Sequence, residues 1–326
     1  MRFKDLEKSR ERRVEMNNTL IRKILSIAAV AALLLSAASP APAGRIIIDS
    51  DEQFDFARSV MDGKDYDRAV VEFERFIHFF PEDSQVPKAR YLIGVCHLKG
   101  RRYDAAREVF SRIATSDPPG PFEGNALFLI GESYYEQGVY TEAARYFTRV
   151  IEKHAEPDLK NAALYRLGWT RMNADRWKDA SHIFEAVEEK SPLYGSAQRL
   201  AAESLKGEDL PQKNPATAGA LAAVLPGLGH AYVSRYKDAT IAFLVNGLFI
   251  WGAVQSFHQD QYVVGGILTF LEVGWYTGNI YSAVNVTHKH NRKVRNDFRN
   301  RLEDRLDLNL FTGREGQVGV ALTFKF

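Results

Sequence analysis

Residues 94–110 read Gly-Val-Cys-His-Leu-Lys-Gly-Arg-Arg-Tyr-Asp-Ala-Ala-Arg-Glu-Val-Phe, and residues 131–147 read Gly-Glu-Ser-Tyr-Tyr-Glu-Gln-Gly-Val-Tyr-Thr-Glu-Ala-Ala-Arg-Tyr-Phe. The two stretches begin 37 positions apart, and glycine, tyrosine, alanine and phenylalanine share their offsets. The register extends in both directions. Tyr66, Tyr103, Tyr140 and Trp177 form one column, Ala69, Ala106, Ala143 and Ala180 a second, and Phe73, Phe110, Phe147 and Phe184 a third. Ala57, Gly94, Gly131 and Gly168 stand before the aromatics, each preceded by a large apolar residue: Phe56, Ile93, Ile130 or Leu167. Pro81, Pro118 and Pro192 close three units; the third unit has Ala155 there and Pro157 shortly after.

The choice of residues has a physical reading. Small residues at two fixed points let paired helices approach closely, and a large aromatic plugs the space between them. Proline ends the second helix because it has no N–H to continue the ladder. A helical hairpin of this size cannot bury its apolar face alone, so four of them must stack into one continuous core. The pattern predicts an all-α solenoid over residues 51 to about 205.

These columns resemble the tetratricopeptide repeat family, with a period of 37 rather than the usual 34. The Gly-x-x-Tyr-x-x-Ala form at Gly63–Ala69 and Gly100–Ala106 looks like the periplasmic, cell-envelope members. The resemblance implies a right-handed helical-repeat solenoid that binds a protein or peptide in a groove lined by the first helix of each pair. Phe54, Tyr91, Phe128 and Tyr165 are the groove positions it implies, with Arg58, Glu132 and Trp169 on an adjoining face. A column of aromatics fits an inter-repeat core equally well, and both readings stand at this point.

The chain has 326 residues, 45% of them apolar, and a formal net charge of +2. That charge argues against a nucleic-acid binder working through bulk electrostatics. The single cysteine, Cys96, excludes an intramolecular disulfide and reads as a buried packing thiol. There is no G-x-S-x-G, H-E-x-x-H, Walker or dinucleotide fingerprint. His288 and His290 have no further ligand at suitable spacing. No cofactor, metal or enzymatic activity is expected.

At the N-terminus, Arg22 and Lys23 precede an apolar run over 24–38, and Ala41-Pro42-Ala43 follows. This is a signal-peptide pattern over residues 1–43, with Met16 the better start. An uncleaved anchor is the alternative. Both place residue 50 across the inner membrane, so the repeat domain, 44–210, is expected in the periplasm.

After the linker 211–215 the composition turns apolar. Three stretches, 216–233, 239–257 and 262–284, predict a membrane region over 216–286; the second and third approach the ~20 residues a crossing helix needs. The first holds Pro226, Gly227 and Gly229 and reads as broken or re-entrant. Pro226-Gly227-Leu228-Gly229-His230-Ala231-Tyr232 resembles the turn of the small two-helix TM2 membrane family, which implies membrane location. Loop charge favours three crossings with a cytoplasmic tail, because Arg235, Lys237, Lys289, Arg292, Lys293 and Arg295 flank the stretches while His258–Gln261 carries no Lys or Arg. Two crossings, with both ends outside, is the alternative.

Within the third stretch, Glu272 reads as a packing carboxyl bonded to Asn246 or a tyrosine, with a functional role as the other reading. Gly274 and Gly278 have the spacing that lets helices touch, which allows an oligomer. Residues 287–307 read as a basic amphipathic helix, Val294, Phe298, Leu302 and Leu306 facing membrane lipid. Residues 308–326 alternate as a β-hairpin tail, whose terminal Phe326 resembles the sorting signal of outer-membrane barrels; two strands cannot close a barrel.

The function expected is a membrane-anchored scaffold for a protein partner in envelope biogenesis, with an accessory part in a transport system as the alternative. Export is directly testable. The protein recovered from its source cells should begin at Gly44 by intact mass, and a mass that retains residues 24–38 would overturn the cleaved signal.

Overall fold

A computed structural model describes residues 17, 21–30, 49–154 and 156–303, together with the backbone of 307–312 and 318–323. Met16, the Ala41–Ala43 exit, Leu306, the turn at 313–317 and Phe326 lie outside the described residues. Residues 1–49 and 50–326 form separate units. In the first, residues 21–30 form helix α1.

The second unit opens with four helix pairs: α2 (Ser50–Asp62) with α3 (Tyr66–Phe79), α4 (Val86–Lys99) with α5 (Tyr103–Ala114), α6 (Glu123–Glu136) with α7 (Tyr140–Lys153), and α8 (Pro157–Asn173) with α9 (Trp177–Glu185). Helix α10 (Tyr194–Leu205) closes the stack. This is an all-α repeat solenoid, and the 37-residue columns are its structural period. Each column aromatic is the first residue of the second helix in its pair.

The turn inside every pair is the same object. Lys64, Arg101, Gly138 and Asp175, again 37 apart, all adopt positive φ between 58° and 73°. The next residue's N–H then reaches back over the helix end. Asp65 N donates to the Val60 carbonyl (3.3 Å), Arg102 to His97 (2.8 Å), Val139 to Tyr134 (2.9 Å) and Arg176 to Arg171 (2.9 Å). This is a Schellman-type closure, which satisfies carbonyls the helix end would otherwise orphan. Only one of the four left-handed residues is glycine.

Packing between paired helices rests on the small-residue column. A Cβ added at Gly94 would stand 2.5 Å from the Phe110 ring, at Gly131 2.7 Å from Phe147, and at Gly168 2.5 Å from Phe184. Phe73, Phe110, Phe147 and Phe184 are fully buried, as are Ala69, Ala106, Ala143 and Ala180. The phenylalanine of the second helix therefore lies directly on the backbone of the first. Cys96 is buried in the same core, and burial pushes its thiol up to about 12, so it is a packing residue.

Beyond the linker, the first apolar stretch is not one segment. It folds as α11 (Pro215–Val224) and the five-residue α12 (Leu228–Tyr232), separated by Leu225–Gly227. Asn214 caps α11, its Oδ1 accepting from Ala216 N at 2.8 Å. Gly227 has φ +93°, and a Cβ there would collide with the Ala239 backbone; at Gly229 it would meet the Ala218 carbonyl and the Ala283 Cβ. Helices α13 (Tyr236–His258) and α14 (Tyr262–Glu303) follow as a hairpin. Ser234 and Asp260 repeat the left-handed turn, with Arg235 N bonded to His230 O (3.0 Å) and Gln261 N to Ser256 O (2.9 Å).

The third apolar stretch and the basic helix expected at 287–307 form a single helix. α14 runs 42 residues, about 63 Å at 1.5 Å per residue. The strand Asp307–Thr312 (β1) pairs antiparallel with Val318–Thr323 (β2), Leu308 opposite Leu322.

Gly168→Ala tests the packing rule. Alanine normally stabilises a helix interior by about 0.5–1 kcal/mol over glycine, but here overpacking should cost about 1–3 kcal/mol. Gly195→Ala in α10, where a Cβ meets nothing within 4 Å, should be neutral or stabilising. Thermal melts of the full-length protein that rank the two variants the other way would refute the rule.

Candidate protein-binding surface

The aromatic ladder expected in the groove lies in the core. Phe54, Tyr91, Phe128 and Tyr165 are at most 2% exposed. Each packs on the phenylalanine of its own pair, with ring centroids 5.6 Å apart for Phe54–Phe73, 5.8 Å for Tyr91–Phe110, 5.4 Å for Phe128–Phe147 and 5.6 Å for Tyr165–Phe184. Burying four large rings is the dominant gain available to so small a repeat. Burial claims Trp169 as well, edge-on to Phe184. Of the seven proposed groove residues only Arg58 is accessible, 3.7 Å from Asp55.

Glu132 is buried for a different reason. Its two oxygens accept from Arg166 Nε and Nη2, both at 2.5 Å, in a bidentate pair that joins the third repeat to the fourth. The Arg166 guanidinium also lies 4.1 Å from the Tyr135 ring centre. Tyr135 OH accepts from Asn173 Nδ2 at 2.9 Å. Burial opposes the Arg166 charge, but Glu132 outweighs it and holds the guanidinium protonated; burial in turn pushes the Glu132 carboxyl up, against the pull of Arg166. A fully desolvated pair adds little stability over a well-packed apolar pair, but removing one partner leaves an uncompensated buried charge. Arg166 was not among the sequence candidates. Its signal was present: it stands where the preceding repeats place the buried Leu92 and Leu129.

The last turns of α14 sit on the fourth repeat rather than facing lipid. Phe298 and Leu302 join the repeat core, and Phe298 meets Trp177 edge-on at 5.6 Å. Asp175, in the left-handed turn, accepts from Arg299 Nη1 (2.7 Å) and lies 2.9 Å from Arg295 Nε. Arg299 also reaches the Met172 and Asn173 carbonyls at the end of α8 (3.3 Å each), where a cation is favoured by the helix dipole. The linker is tied to the same helix: Lys213 N donates to Asn291 Oδ1 (2.8 Å) and Asn291 Nδ2 returns to Lys213 O (2.7 Å). The expected three-crossing arrangement put the repeats and the tail on opposite sides. In the structure the end of α14 is in contact with the repeats.

The remaining candidates belong to the helical hairpins. His230 Nε2 is 3.1 Å from Ser282 Oγ, and Tyr232 OH accepts from Asn214 N at 3.3 Å. Pro226 and Gly227 lie in the break between α11 and α12, and Gly229 lies inside α12, close against Ala218 and Ala283. Glu272 is buried, but neither oxygen has a hydrogen-bond partner, and Asn246 donates instead to Ala242 O at 2.6 Å. The expected Glu272–Asn246 bond is therefore not made. Gly274 and Gly278 face open space, with no atom within 4 Å of where a Cβ would stand. Among the described residues no group of three or more His, Cys, Asp or Glu side chains could hold a metal.

Tetratricopeptide-repeat family models match residues 54–121 and 125–156. No curated protein matches the chain. Solved structures similar to it include the TPR-like repeats of a kinesin light chain from Podosopora anserina, at 13% identity and TM-score 0.40, covering 49% of this chain and 87% of that one. YrrB, described as a TPR protein with an unusual peptide-binding site, is 20% identical with TM-score 0.36, covering 49% and 78%. A tetratricopeptide repeat protein from Parabacteroides merdae is 13% identical with TM-score 0.39, covering 78% and 98%.

Glu132→Gln should lower stability by about 3–5 kcal/mol, because it strands a buried guanidinium. The double variant Glu132→Leu/Arg166→Met should recover much of that loss. Equal melting points for the single variant and wild type would remove the pair from this account.

Proposed function

We propose that this chain, which carries tetratricopeptide repeats, is a non-enzymatic scaffold that holds a protein partner at a membrane of the cell envelope. Tetratricopeptide repeats act as protein-interaction surfaces, and the matched family models supply that part of the reading. The observation that carries the membrane part is the surface of α13 and the first half of α14. Ile241, Leu244, Leu248, Trp251, Phe270 and Val273 all stand between 55% and 80% exposed. So much contiguous apolar surface is not stable against water and matches the lipid-facing side of a helical hairpin. Helix α13 is long and apolar enough to cross.

In this reading α13 and α14 cross and α11–α12 does not. Ten residues of α11 reach only about 15 Å, half of a ~30 Å hydrocarbon core. Tyr276 OH donates to the Ala223 carbonyl (3.1 Å) near the far end of α11, and α12 returns toward Asn214. The pair is thus a re-entrant wedge, its broken backbone covered by α13 and α14. The repeats, the linker and the basic end of α14 then share one side, and only the 259–261 tip reaches the other.

The signal-peptide pattern favours the periplasm for that shared side. Loop charge favours the opposite assignment, because Lys237, Lys289, Arg292 and Lys293 gather at the repeat end. A transport role would draw instead on the unpartnered Glu272.

Topology is checked with single cysteines at 88, 234 and 259 in a Cys96→Ser background, using a membrane-impermeant maleimide. Positions 88 and 234 should label from the same side and 259 from the other, and the side itself distinguishes periplasm from cytoplasm. Labelling of 88 and 234 from opposite sides would rule out the re-entrant wedge.

A further inference from the structure

One repeat departs from the packing of its neighbours, and the departure opens a cavity. The first helices of the third and fourth repeats bury Leu127 (1% exposed) and Leu164 (8%) at equivalent positions, and the first repeat buries Gln53 there. The second repeat has Arg90, which is exposed. Phe122 stands where the next repeat has Leu159, so the difference between the repeats falls on Arg90. At the second repeat the chain leaves a cavity of about 460 Å³ bounded by α4, α5, Glu74 of α3 and the segment 116–122. Its floor is Ile93, Val109, Ile113 and Phe122. Phe122 is held by stacking on buried Tyr91, with centroids 4.9 Å apart and planes 14° from parallel, so that wall is fixed.

The rim is charged. Arg90 and Arg112 stand there with a single acidic residue, Glu74. Arg112 is already paired with Glu108, whereas Arg90 has no partner among the described residues. A guanidinium left unpaired beside an apolar hole is complementary to an apolar side chain that has a carboxylate next to it. The volume lies within the range of ordinary ligand sites and accepts one aromatic or branched side chain. Arg90 precedes Ile93 by one helical turn, so the cationic and apolar subsites are spaced for neighbouring residues of one segment.

We propose that the cavity of the second repeat receives a large apolar side chain of a partner protein, and that an adjacent aspartate or glutamate of the same segment pairs with Arg90. This rests on the scaffold reading and gives it a site outside the aromatic columns. The site is bounded by both helices of the second repeat, by Glu74 of α3 and by the segment 116–122 that leads into α6.

The test uses the full chain in lipid nanodiscs with methyl-labelled isoleucine and valine, titrated with the capped peptide acetyl-Gly-Ser-Asp-Phe-Ser-Gly-amide. Shifts should be confined to Ile93, Val109, Ile113 and their neighbours. Replacing Asp by Asn, or Phe by Ala, should weaken binding roughly tenfold or more, the scale of one charge-assisted bond or one buried ring. Arg90→Ala should reduce the Asp peptide to the affinity of the Asn peptide and leave the Asn peptide unchanged. Ile113→Trp, which fills the hole, should abolish the shifts, and an unchanged melting point verifies its fold. Absence of binding by the Asp-Phe peptide at millimolar concentration, or equal loss of both peptides in Arg90→Ala, would overturn the proposal. If the natural partner still crosslinks to an Arg90→Ala protein at wild-type yield, the scaffold reading stands and this site falls.

Discussion

The solenoid depends on one contact made repeatedly: a phenylalanine ring from the second helix laid on a glycine or alanine of the first. Three of the four contacts leave no room for a methyl group. That closeness brings the first-helix aromatics, Phe54, Tyr91, Phe128 and Tyr165, onto the same phenylalanines. A dense core of rings is what lets a hairpin of two short helices contribute to a stable stack, since neither helix would persist alone in water. The other columns follow from this contact. Alanine is needed where the helices cross, and an aromatic starts the second helix.

Much of this was legible in the sequence because packing at close range is selective about residue size. A glycine that must accept a ring and an alanine at a crossing tolerate few replacements, so the period of 37 survives in plain view. The turns were less legible because their requirement falls on the backbone. A left-handed residue can be lysine, arginine or aspartate when the following N–H closes a Schellman bond, and so Lys64, Arg101 and Asp175 hide what Gly138 displays. The same turn opens α13 and α14, where Ser234-Arg-Tyr236 and Asp260-Gln-Tyr262 repeat the spacing of Lys64-Asp-Tyr66. The sequence alone does not distinguish these triplets from chance.

The aromatic columns left core and groove both open for a related reason. Periodicity identifies which residues share a face, but it does not say whether that face meets solvent or the next repeat. An aromatic column satisfies either condition, and here the spacing of the stack selects the interior. Charged residues in such a column carry more information. Glu132 could be interior only if a cation lay opposite, and Arg166, standing where earlier repeats have leucine, is that cation. The rule generalises within the chain: a polar residue that breaks an apolar column marks either a buried pair or an opening. Arg166 is the first case and Arg90 the second.

The same logic bears on α14. Its basic half looked like a surface helix because Arg and Lys dominate it, yet its apolar positions are used by the fourth repeat. Trp177 replaces the tyrosine of the other three repeats and supplies the larger ring against which Phe298 packs. Asp175 supplies the charge that Arg295 and Arg299 require. The end of the repeat stack and the end of the helical hairpin are therefore matched by residues peculiar to the last repeat. One uninterrupted helix, rather than the linker at 211–215, carries the connection between them. A flexible five-residue link would leave the array free to tumble relative to the apolar hairpin, whereas a helix clasped at both the linker and the last turn fixes its orientation. Under the proposed scaffold function, a partner captured by the array would be held at a set distance from the apolar hairpin.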